Sequence, residues 1–63
     1  MFNQAVKELP YGVEYDPMAM KTIQDLQWSC ILQLDLINEG QDSAKGIDPQ
    51  PIRQWLKKYG YPK

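Results

Sequence analysis

Sixty-three residues make at most one domain, and a chain this short buries only about 60% of the surface it exposes when unfolded, so its margin of stability is thin. With 43% hydrophobic residues, two tryptophans and four tyrosines it is too apolar for disorder, yet no apolar run approaches the ~18 residues of a membrane span. One cysteine and no histidine exclude an intramolecular disulfide and a Cys/His zinc site, so no metal or cofactor is expected.

The net charge of −1 hides an asymmetry. Residues 1–44 carry two lysines against seven carboxylates, a balance of −5, and residues 45–63 carry five cations against Asp48, a balance of +4. Such polarity concerns partners and leaves the fold open. Met1 is followed by no basic segment leading into an apolar stretch, so no secretion signal is expected. A lone cysteine fits a reducing, cytoplasmic setting, and the chain reads as an entire small gene product.

The first element is a short N-terminal helix or arm over residues 2–9, carrying Phe2, Val6 and Leu9 and stopped at Pro10. Residues 10–16 are punctuated by Pro10 and Gly12 and form the first connecting loop.

A long central helix is expected over residues 17–39. Asp16 caps it, Pro17 stands where no donor is needed, and Gly40 ends it in a left-handed conformation. At 100° per residue Ala19, Ile23, Leu26, Cys30, Leu34 and Ile37 make one apolar stripe. Trp28, Leu32 and Leu36 make a second on the opposite side, bordered by Lys21, Asp25 and Asp35. Leu32, Leu34 and Leu36 also alternate with polar residues, which leaves an α+β alternative with a strand around residues 30–37.

Residues 40–47 form the second connecting loop. Asp48-Pro49 repeats the cap signal, Pro51 still lies in the first turn, and Ile52, Trp55, Leu56 and Tyr59 make one buried face. Gly60 and Pro62 stop this C-terminal helix at residue 59. The expected fold is an all-α, small three-helix domain spanning residues 1–63. Its core holds Ile23, Leu26, Cys30, Leu34, Ile37, Ile52, Trp55, Leu56 and Tyr59.

Catalysis is not expected. General acid–base chemistry at neutral pH most often uses histidine. No histidine activates Ser29, Ser43 or Cys30, and a cysteine on an apolar stripe is an inert core residue. Asp35 and Glu39, one turn apart, read as a solvated acidic face, because a chain this short has little room for the pocket a carboxylate pair needs. No glycine spacing matches a phosphate loop, so no small-molecule substrate is expected.

Binding is the remaining class. An aromatic flanked by leucines is the kind of anchor that dominates protein interfaces, which makes Trp28, Leu32 and Leu36 the candidate partner-binding residues. Internal packing accounts for the same stripe if the N-terminal arm, with Phe2, Val6, Tyr11, Val13 and Tyr15, covers it. The expected function is a non-enzymatic protein–protein interaction module, regulatory or accessory, acting as a homodimer or bound to a partner protein.

The alternative is DNA binding through Gln50, Arg53, Gln54 and Lys57, since Arg and Gln near a helix N-terminus read guanine and adenine edges. Gly46-Ile47 followed by Ile52 and Trp55 resembles a helix-turn-helix unit over about a quarter of the chain. Asp42 in place of a small residue, Pro51 in the recognition helix and Gly40 before the turn depart from that pattern. A third reading takes the seven carboxylates of residues 8–42 as a surface for a basic partner.

Overall fold

Three helices and a single 3-10 turn organise the described residues, 2–62, of the computed structural model. They are α1 (Phe2–Lys7), α2 (Ile23–Glu39), the turn Asp42–Ala44 and α3 (Pro49–Tyr59). No strand occurs among the described residues, and Leu32 to Leu36 lies within α2, which removes the α+β alternative. The all-α three-helix class expected from the sequence is the observed one.

The central helix starts later than expected, at Ile23 and not at Pro17. Asp16 does accept the amide of Met18 at 2.9 Å, and its carbonyl accepts the amides of Ala19 and Met20, but the chain makes only this one turn. Thr22 then adopts extended angles and closes a reciprocal capping box. Its hydroxyl accepts the Asp25 amide at 3.2 Å, and the Asp25 carboxylate accepts the amides of Thr22 at 2.9 Å and Lys21 at 2.7 Å. Two orphan donors satisfied reciprocally make a better start than a single Asp cap. Ala19, expected on the main stripe, is therefore exposed, and the first connection runs on to Thr22.

The other end of α2 stops where expected. Gly40 takes φ +74, its amide reaches the Ile37 carbonyl, and the Gln41 amide reaches Leu36, the paired bonds of a left-handed stop. The third helix keeps its expected bounds, with Asp48 Oδ1 accepting the Gln50 amide at 3.0 Å and Gly60 closing on Leu56.

The core lies between the inner face of α2, α3 and Ala5 of α1, with Phe2 and Val6 packed against it. Leu26, Cys30, Ile52, Trp55 and Leu56 are fully buried or nearly so, while Ile23, Leu34, Ile37 and Tyr59 pack against them half-buried. Ala5 and Ala44 join the buried set, although neither was expected there. The Ala5 carbonyl accepts the Trp55 indole N–H at 3.0 Å, which ties α1 to α3. Gln27 is the one buried polar side chain among the described residues. Its amide nitrogen donates to the Tyr59 carbonyl at 2.9 Å, satisfying an otherwise orphaned group at the end of α3.

Glu8, just after α1, ties that helix to α3. It accepts Lys58 Nζ at 2.6 Å, the Tyr59 hydroxyl at 2.7 Å and Gln4 Nε2 at 2.7 Å. These bonds, Lys58 foremost, hold its carboxyl down at about 2, and the Glu8 carboxylate in turn raises Lys58 and Tyr59 above their ordinary values.

Candidate functional site

The second stripe of α2 is left uncovered. Trp28 is 55% exposed and Leu32 60% exposed, with Leu36 half-buried below them. Residues 28, 32 and 36 are spaced by four, so they form one continuous ridge along more than two turns. The N-terminal arm, the internal cover that the sequence left open for Trp28, goes elsewhere. Val6 and Val13 pack into the core cluster, Phe2 does likewise and meets the Tyr15 ring at 6.3 Å, and Tyr11 stays exposed.

The arm passes along one flank of the ridge. Ser29 Oγ donates to the Glu14 carbonyl at 2.9 Å, which pins the arm beside α2. Gly12 lets the same arm close on the second connection: it takes φ +95, and a Cβ there would stand 2.7 Å from the Ile47 side chain. Between arm and helix runs a hollow of about 240 Å³, lined by Leu32, Leu36, Glu14, Ser29, Gln33 and Ser43. Pockets for drug-sized ligands begin near ~300 Å³ and enclose most of the ligand, so this hollow suits one long side chain better than a metabolite.

The charges that α2 itself sets along the ridge are acidic, and Lys21, just before the helix, has its Nζ bonded to the Pro17 carbonyl. α2 carries Asp25, Asp35 and Glu39 and neither lysine nor arginine. Asp25 stands three residues before Trp28, Asp35 three after Leu32, and Glu39 three after Leu36. At 100° per residue all three fall on the ridge side of the helix. The Asp25 carboxyl is held below its ordinary value by the amides of Lys21 and Thr22, so it stays charged.

The alternative site is also at the surface. Gln50, Arg53, Gln54 and Lys57 are all exposed along the outer side of α3. Its geometry departs from a helix-turn-helix unit, however. Residues 40–48 separate α2 from α3 and include a 3-10 turn with Ala44 buried, whereas such motifs join their helices by about 3–4 residues. Lys58, the neighbouring cation, is engaged by Glu8.

Little else offers reactive chemistry. Cys30 is completely buried, and burial pushes its thiol up to about 11. Among the described residues no group of three or more His, Cys, Asp or Glu side chains is placed to hold a metal ion. No helix among them is long and apolar enough to cross a membrane. A second hollow, about 280 Å³, lies where Glu8, Pro10, Pro51, Gln54, Trp55 and Lys58 meet, and its charged members are already bonded to each other.

The sequence pattern brought Trp28, Leu32 and Leu36 together correctly as a ridge. It missed the hollow beside them, because Glu14 and Ser43 come from connections with no periodicity to read. Compared with protein-family models, with curated proteins and with solved structures, the chain matches none.

Proposed function

We propose that this chain is a non-enzymatic protein–protein interaction module, a regulatory or accessory protein of the cytoplasm that binds through the Trp28–Leu32–Leu36 ridge. One observation carries the reading: a tryptophan and a leucine, each more than half exposed, stand one turn apart on the outside of a helix whose inner face is already filled. Burying a large apolar side chain contributes about 1.5–3 kcal/mol, and a small domain has little reason to forgo that contribution unless the surface is reserved for contact. An aromatic at the centre with leucines around it is the composition of an interface hot spot. Cys30 buried with a raised thiol, and hollows below the size of a substrate pocket, favour binding over catalysis.

The contact is either a partner protein or a second copy of this chain, and one pair of variants addresses both. Trp28→Ala and Leu32→Asp remove the anchor while leaving the core intact. Sedimentation across concentrations, together with capture of proteins from the host lysate, is expected to reveal an assembly with the unmodified chain that both variants lose. A chain that is monomeric and captures nothing, or variants that bind as the unmodified chain does, would refute the reading.

DNA binding through Gln50, Arg53, Gln54 and Lys57 is the second reading, favoured by the exposure of all four side chains on one helix. Phosphate contacts dominate affinity for DNA, and four or five cations on a chain of pI 5.1 make a small footprint. Retention on DNA at low salt that is lost in Arg53→Ala/Lys57→Ala would support it. Indifference to those substitutions would remove it.

A further inference from the structure

Taking the ridge as the contact surface, as proposed above, we infer that its occupant is a basic amphipathic helix of another protein, and not a second copy of this chain. The inference rests on which charges surround the ridge. Asp25, Asp35 and Glu39 interleave with Trp28, Leu32 and Leu36, and α2 supplies no cation to offset them. Glu14 adds a fourth acidic residue among those lining the hollow beside Leu32 and Leu36.

Pairing of α2 with α2 sets these carboxylates against each other in either orientation, and the outer face of α3, with Gln50, Arg53, Gln54 and Lys57, offers a second copy no large apolar side chain to cover Trp28 and Leu32. An antiparallel pair of α2 helices crossing at Leu32 brings Glu39 of one copy opposite Asp25 of the other, twice over. A parallel, in-register pair places Asp25, Asp35 and Glu39 each opposite itself. Like charges brought together at an interface are a device against the wrong partner. Asp25 cannot relieve the conflict by swinging away, because its carboxylate is held by the amides of Lys21 and Thr22 at 2.7 and 2.9 Å.

A helix with apolar residues spaced by three and four and with Lys or Arg alongside them meets every part of this surface. Its apolar side chains cover Trp28 and Leu32, and its cations lie against Asp35 and Glu39. The hollow of about 240 Å³, lined by Leu32, Leu36 and Glu14 among others, takes the aliphatic stem of one long basic side chain. Helix-in-groove recognition of this kind reads anchors at i, i+3, i+4 and i+7.

The two tryptophans provide the test. The Trp55 indole N–H is buried on the Ala5 carbonyl, while Trp28 stands in solvent, so the full chain gives two indole signals of different accessibility. The probes are a synthetic amphipathic helix of about five turns made of Leu and Lys, and a counterpart made of Leu and Glu. The Leu/Lys peptide is expected to shift the Trp28 signal saturably and leave Trp55 in place. Its affinity should fall at least about tenfold in Asp35→Lys/Glu39→Lys and weaken in ~0.5 M salt. The Leu/Glu peptide should not bind.

Equal binding of both peptides, or an unchanged affinity in the charge-reversed variant, overturns the basic partner while sparing the ridge as a contact surface. A Trp28 signal that moves with the chain's own concentration, accompanied by a dimer in sedimentation, makes the occupant a second copy and overturns it likewise. Neither peptide reaching Trp28, with the chain monomeric, sinks the inference and the ridge reading together.

Discussion

The two tryptophans occupy helices of the same small domain and meet opposite fates. Trp55 is 4% exposed, its indole N–H bonded to Ala5 and its ring 4.8 Å from that of Tyr59, while Trp28 is 55% exposed. On the Trp55 side polar groups are bonded within the fold: Glu8 gathers Gln4, Lys58 and Tyr59, and Gln27 closes the end of α3. Around Trp28 the charges on α2 are all acidic, Lys21 just before the helix being the cation that borders the stripe, and no helix lies on top. The contrast teaches that one side of this domain is consumed by stability, and the other is left facing solvent.

The largest effect expected from breaking this contrast is at Trp55. Trp55→Ala empties the centre of the core and should destabilise the fold by about 3–5 kcal/mol, enough to unfold much of a marginal domain. Trp28→Ala should change stability by about 0.5 kcal/mol or less, since it removes an exposed side chain. Urea titration of both variants reads the difference directly, and equal losses would mean that the two environments are not distinct.

A smaller effect is expected where arm and loop meet. Gly12→Ala asks for a Cβ at φ +95 and 2.7 Å from Ile47, so it should lose about 2 kcal/mol and loosen the arm that forms one wall of the hollow. The same titration measures it, and hydrogen exchange of the Val13 amide, bonded to the Pro10 carbonyl, reports the loosening.

The gentlest probe sharpens the consumed side by pH. The Glu8 carboxyl is held at about 2 in the folded chain against 4.5 ordinarily, so its contribution is present above about pH 4.5 and fades as pH falls toward 2. Glu8→Gln should flatten the fall in melting temperature across that window and leave the neutral-pH response of the Trp28 face unchanged. An identical acid profile in the variant would show that Glu8 does not couple α1 to α3.

Much of this was legible in advance, and the exceptions are instructive. Gly40 and the Asp48–Gly60 bracket set helix ends correctly because caps and left-handed stops are local chemistry. The start of α2 was also local, but two signals competed: Asp16-Pro17 and Thr22…Asp25 both cap, and the reciprocal pair prevailed. Ala5 escaped notice because alanine carries almost no hydrophobic signal, and its burial comes from contact with a residue fifty positions away. Gln27 escaped because a polar residue between two stripes reads as solvent-facing until the end of α3 is known to lie against it.

By itself the sequence determined the helical class, the stops of α2 and α3 and the pair of apolar stripes on α2, since each follows from torsional preference, capping and a repeat of 3.6 residues, whereas α1 ends at Lys7, two residues short of its expected stop. Only the tertiary structure decided which stripe went inside. Periodicity treats the two faces of a helix alike, and the choice between them belongs to where α1 and α3 come to rest, through contacts between residues far apart in the chain.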